Sequence, residues 1–161
     1  MKNYPKRIKD TLNSVIRDMA KHPEDFCRRP GKDFTRNRKL PFEKILSLLV
    51  KMGGHSLRDE MLDCLDFKEL PASVSALVQQ RSKLLPDALE FLFREFTNRC
   101  HKLRLYKGYR LLAVDGSDLQ FTANPNDPLS YFPGVNGQKP YSFLHLNALY
   151  DLNSNLYLDA I

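Results

Sequence analysis

The stretch YRLLAVDGSD at residues 109–118 sets an apolar run against a carboxylate, Asp115, with a glycine directly after it. Leu, Ala and Val pack into a strand, and a strand of that kind has no packing reason to end on a charge that is costly to bury. A hard cation, by contrast, needs oxygen ligands held on a rigid element. Asp115 is therefore the first candidate for a catalytic, metal-binding carboxylate; its alternative role is that of a turn residue in Asp-Gly-Ser. Asp118, beyond Gly116, reads either as a group backing Asp115 or as a solvated turn acid. His145 reads either as a side chain orienting a ligand or as a satisfied histidine at the core edge. Tyr131 and Phe132 either stack on an extruded base or pack their loop onto the domain.

A second chemistry lies upstream. The sequence RRPGKDFTRNRK at residues 28–39 holds six basic side chains, one acid and a Pro-Gly pair, so no apolar stripe can form and an exposed basic loop is expected. Arg28, Arg29, Lys32, Arg36, Arg38 and Lys39 are the candidates for phosphate contacts, which need clustered, accessible cations. Base edges need hydrogen-bonding side chains on an element that can enter a groove, and the helical pattern of residues 73–83 offers Ser75, Gln79, Gln80, Arg81 and Lys83. The helices flanking residues 67–72 have the order of a helix-turn-helix, with a longer connection than that motif uses.

Charge divides in the same way. Of the 161 residues, 1–105 carry 22 of the 25 Lys and Arg against 14 acids, whereas 106–161 carry three basic and five acidic side chains. Such asymmetry suits a chain that grips a polyanion with one part and holds metal with the other; solvated helix faces are the plainer account of the basic part. Cys27, Cys64 and Cys100 are widely spaced, so neither a disulfide framework nor a zinc site is expected, and His101 beside Cys100 reads as an ordinary helix residue. No apolar run approaches the length of a membrane span and the first ten residues are charged, so no membrane partner and a cytoplasmic, reducing location are expected.

These side chains must be positioned by about five helices and three strands. Ile8, Leu12, Val15, Ile16 and Met19 keep helical spacing after Pro5, and Phe42, Ile45, Leu46, Leu49 and Met52 do so after Pro41. Gly53-Gly54 is expected to stop that second helix in a left-handed conformation. Ser56 with Asp59 reads as a short-armed capping box before Leu57, Met61, Leu62 and Leu65. Pro71-Ala72-Ser73 opens a fourth helix with Val74, Leu77 and Val78 inward, and Leu85, Leu89, Leu92, Phe93, Phe96 and Leu103 mark a fifth. Past Lys107-Gly108 the period changes to alternation. Strands are predicted at 109–115, 142–150 and 156–161, with a long loop over 122–140. Leu144, Leu146, Ala148 and Tyr150 give the second strand one wholly apolar face.

Five pieces in this order, FTRNRKLPF (34–42), GHSL (54–57), VQQRSKL (78–84), AVDGS (113–117) and LHLNALYDL (144–152), resemble transposases of the insertion-sequence-four type, from about residue 30 onward. That family carries a DDE triad on a ribonuclease-H-like fold. The resemblance implies an α+β chain: an amino-terminal helical DNA-binding domain over 1–105, followed over 106–161 by the first three antiparallel strands of an incomplete ribonuclease-H-like domain. It implies Asp115 as the first triad carboxylate. The family's second Asp and its Glu lie farther downstream, and Asp118, Asp127, Asp151 and Asp159 do not fall at their places. The expectation is a DNA transposase whose partners are double-stranded transposon-end and target DNA, a homodimer in full-length form, nucleoid-associated in a bacterial-type cytoplasm. Mg²⁺ or Mn²⁺ is expected only with the further carboxylates present, so this chain is expected to be a truncated, inactive fragment. The alternative is a non-catalytic DNA-binding or regulatory module that holds transposon ends or a full-length transposase.

Overall fold

The computed structural model describes residues 4–36, 39–64, 72–100 and 104–161. The chain is α+β and divides into two compact units, Met1–Cys100 and His101–Ile161.

The first unit holds α1 (Tyr4–Met19), a 3-10 turn (Pro23–Phe26), α2 (Phe42–Lys51), α3 (Leu57–Cys64), α4 (Val74–Arg81) and α5 (Asp87–Cys100). Apolar residues at helical spacing turn one stripe of each helix inward. The core is built from Val15, Ile16 and Met19 of α1, Phe42, Ile45, Leu46 and Leu48 of α2, Met61 of α3, Leu77 of α4, and Ala88 and Leu92 of α5. Helix α2 packs against α1, α3 and α4, and α1 packs against α5. The caps follow local chemistry. Ser73 Oγ accepts from Ala76 N at 3.1 Å and starts α4, and Ser56 Oγ accepts from Asp59 N at 3.3 Å while donating to Asp59 Oδ2 at 2.7 Å.

Three helical expectations need correcting. Neither Gly53 nor Gly54 has a positive φ; the chain after α2 is instead held by the buried carboxylate of Glu60, whose Oε1 accepts from Gly53 N at 2.8 Å and His55 N at 3.0 Å. On α4, Val78 points outward and Gln80 inward. On α5, Leu89 is exposed, and Ala88, Leu92, Thr97 and Cys100 form the buried stripe. The outlined faces hold at Leu77 and Val74 of α4 and at Leu92 and Phe96 of α5, while tertiary packing turns Val78 and Leu89 outward. The predicted positions Leu65, Pro71 and Leu103, the 67–72 connection and His101 lie outside the described residues or largely so. Among the described residues, no helix is long and apolar enough to cross a membrane.

The second unit opens on a tight turn in which Tyr106 and Tyr109 exchange both backbone hydrogen bonds, at 2.8 and 2.9 Å, with positive φ at Lys107 and Gly108. That pair of left-handed residues is the geometry of a two-residue hairpin turn. Four antiparallel strands follow: β1 (Leu112–Phe121), β2 (Tyr131–Phe132), β3 (Tyr141–Asp151) and β4 (Leu156–Ala160). Strand β3 is central. β1 pairs along one side of it, while β2 and β4 pair with its opposite ends. The first strand thus starts and ends later than its apolar run suggests, and the expected loop contains β2. The ladder to β3 draws in Gly116–Phe121, because Gly116↔Asn147 through Phe121↔Ser142 are all in register.

Candidate functional site

Two sets of side chains carry chemistry, one in each unit. In the helical unit the basic segment is fastened to the end of α4. Arg28 N donates to Lys83 O at 2.8 Å, Leu85 N donates to Phe26 O at 3.0 Å, and Arg28 Nε donates to Ser82 O at 2.9 Å. The fastening brings residues about fifty positions apart to one cavity of about 380 Å³, lined among others by Arg29, Lys32, Arg36, Gln80 and Lys83. Two stretches singled out separately in the sequence, 28–39 and 79–83, therefore share a surface.

The cations at this cavity are not equivalent. Arg29 is tied bidentately to Asp33, with Nη2 to Oδ1 at 2.9 Å and Nε to Oδ2 at 3.4 Å. Lys83 Nζ donates to Gln80 Oε1 at 3.1 Å and stands 5.8 Å from the centre of the Phe34 ring. Lys32 and Arg36 are exposed and their charged groups have no side-chain partner among the described residues. The basic segment is not a loose exposed loop. Asp33 is only 3% exposed, and Phe34, half-buried, packs edge-on against Phe42 of α2 at 5.4 Å between ring centres. Phe34 also has φ 57°, a conformation that costs a bulky residue on the order of 1–3 kcal/mol and persists only where the surroundings enforce it.

The sequence alone points to neither Asp33 nor Phe34 as a functional residue. Their only local signature is a lone acid four positions after Arg29 and a lone aromatic in a polar segment. Arg28, expected at phosphates, is engaged in holding the segment to Ser82. Gln79 and Arg81 are exposed as a groove-reading face requires, but Gln80 is buried against the core and bonded to Lys83, so it lines the cavity rather than projecting. Lys39 is exposed, and Arg38 lies outside the described residues.

In the sheet unit Asp115 sits in the interior of β1, not at its tip. Its Oδ1 accepts from Gly116 N at 3.0 Å and the side chain is exposed. Alternation and register place it on the face shared by Ser117, Leu146 and Ala148, and Ala148 is paired in turn with Ala160 of β4. The small side chains of Ala148 and Ala160 stand in line with the Asp115 carboxylate. Asp118 and His145 are brought together with each other and not with Asp115. They are direct cross-strand partners on the opposite face, with His145 Nδ1 2.7 Å from Asp118 Oδ1. The hydrogen bond to Asp118 raises the His145 pKa, and Asn147 acts in the same direction. The imidazole lies over Gly116, where a Cβ would meet Nε2 at 2.9 Å. Gly116 is therefore a seat for the ring, not a turn residue. Tyr131 and Phe132 are half-buried in β2, and Phe132 packs against Tyr141 at 5.1 Å.

A divalent metal of the hard class takes six or more oxygens. Asp115 supplies one carboxylate on a face of the β1–β3 ladder whose other members are Ala, Ser, Leu, Phe and Tyr, and no cluster of three His, Cys, Asp or Glu occurs among the described residues. These residues do not by themselves fit Mg²⁺ or Mn²⁺. Comparisons with protein-family models, curated proteins and solved structures find no match for this chain.

Proposed function

We propose that this chain binds DNA through its helical unit and belongs to the DDE transposases, with the sheet unit forming the opening strands of a ribonuclease-H-like layer and Asp115 one of its metal-binding carboxylates. The observation that carries the binding half is the convergence of Lys32, Arg36 and Lys83 on one cavity from two separate segments. Cations so gathered repel one another, and an anionic partner relieves that repulsion. The catalytic half is supported by the ordered sequence resemblance, by the antiparallel order of β1, β3 and β4, and by the exposure of the Asp115 carboxylate.

A second reading, a non-catalytic module that holds transposon ends or a full-length transposase, is favoured by one feature. Asp115 has no other acid on its face of the β1–β3 ladder, while the cationic set is assembled. Both readings share the DNA test. The full chain is titrated against duplex DNA carrying the repeats that flank its coding sequence, over a range of salt concentrations, beside a Lys32→Ala/Arg36→Ala double variant. Affinity is expected to fall steeply with salt, and the double variant to lower the log-log slope by about 2. A salt-independent affinity, or a variant identical to the parent, would sink the proposal. The coding sequence separates the two readings: an Asp on a further strand and a Glu on a later helix, read in frame after Ile161, are expected of the transposase and not of the module.

A further inference from the structure

We infer that the cavity between residues 28–36 and the carboxyl end of α4 is a receptor for a phosphomonoester, the doubly charged terminal phosphate of a nucleotide or of a DNA strand end. The inference uses the DNA reading for the source of the ligand and not for its chemistry. Phosphates along a duplex carry one charge each and are presented from a convex surface, so cations that serve them alone are best spread over an open face. Here four cations line a concavity of about 380 Å³ instead, within the size range of small-molecule sites.

Their states divide the labour. The Arg29 charge is balanced by buried Asp33, and the pair braces the wall. Lys83 is held in place by Gln80 Oε1 and the Phe34 ring, with ammonium protons left over, since an ammonium has three donors. Lys32 and Arg36 have no charged partner among the described residues. Two uncommitted positive charges and one pre-positioned ammonium match a dianion with three terminal oxygens. Phe34 and Leu40 add an apolar portion to the lining, against which a sugar or base can rest. The left-handed backbone at Phe34, enforced by its packing on Phe42, keeps this arrangement formed before any ligand arrives.

The test uses the full chain and one single-stranded oligonucleotide labelled at its 3′ end, prepared with either a 5′-phosphate or a 5′-hydroxyl. Fluorescence anisotropy should give an affinity about tenfold higher for the phosphorylated end. Lys83→Met, which keeps an apolar stem beside Phe34 and removes the charge, should erase the difference while leaving the circular dichroism spectrum intact. Nucleoside monophosphate and nucleoside are then added as competitors. Displacement by the monophosphate at concentrations similar to the oligonucleotide assigns the site to free nucleotides, and displacement only by the phosphorylated oligonucleotide assigns it to strand ends. Equal affinity for the two ends together with no monophosphate competition overturns the inference, and that comparison needs no variant to fold. Duplex binding that persists in that case leaves the DNA reading standing; monophosphate binding without any DNA binding leaves only the cavity assignment.

Discussion

A single hydrogen bond separates the two roles open to His145. Its imidazole meets Asp118 at 2.7 Å across adjacent strands, and that carboxylate holds the pKa above the ordinary 6.5. A raised pKa means the pair supports the β1–β3 ladder below the unfolded value and releases it as pH rises through the folded one. Asp118→Asn is expected to return the His145 pKa toward 6.5, measured by NMR titration of the ring protons. Gly116→Val should do the same without touching either partner, because its side chain displaces the ring from a seat where even a Cβ comes within 2.9 Å. A pKa unmoved in both variants would show that the pair does not form. Asp118→Asn should leave the surroundings of Asp115 unaltered, since Asp115 lies on the other face.

At the scale of elements, the β3–β4 hairpin depends on one buried acid. Asp151 has no exposed side-chain surface; its Oδ1 accepts from Asn153 N at 2.9 Å and Ser154 N at 3.1 Å, and its Oδ2 accepts from Arg110 Nε at 3.1 Å. Burial pushes its pKa up, but the donated hydrogen bonds and the guanidinium outweigh it and hold the group at about 2. For a depressed carboxyl the stabilisation is complete above about pH 4 and is lost as pH falls toward 2. Amide exchange in residues 151–155 should therefore accelerate over that window. Asp151→Asn should accelerate it at neutral pH, at a cost of about 1–3 kcal/mol from weakened bonds to buried donors. Unchanged exchange in the variant would assign the turn to Asn155, which adopts the left-handed conformation at φ 55°. Asp18 provides a parallel link between helices, held at about 2 by Lys21 and by Arg99 of α5.

For the molecule as a whole, the distribution of buried apolar surface decides what is stable. Every buried hydrophobic side chain among the described residues lies in the helical unit, and each fully buried Leu or Ile contributes about 1.5–3 kcal/mol. In the sheet unit the buried residues are Ser130, Ser142, Asp151 and Ser154, while Val114 stands 72% exposed and Leu119, Phe121, Leu144 and Tyr157 are exposed as well. A sheet of this kind has its backbone paired but its apolar faces in water, a poor balance for independent stability. Hydrogen exchange on the intact chain should protect amides of α1, α2 and α5 far more than those of β1 and β4. Equal protection would mean that the apolar side chains of the sheet are covered in solution.

Much of this was legible in the residues themselves. Helical spacing, Pro starts and Ser caps located the helices, and alternation located β3 with its apolar face, because these signals are local and the backbone answers them within a few residues. The clustering of cations between Arg28 and Lys39 and the oddity of Asp115 were equally plain. What the chain could not disclose locally was partnership across distance. That Gly116 continues a strand depends on ten residues of β3 lying alongside. The inward turn of Gln80 depends on α2 and on Lys83. Most of all, Lys83 and Arg36 share a cavity only because the backbone at Arg28 bonds to the end of α4. Which residues bear charge and which elements they ride on can be read from the chain alone, since propensity and periodicity act over a few positions. Only the tertiary structure decided which of those charges meet and that Asp118 and His145 face away from Asp115, because packing and strand register join residues that no local interaction connects.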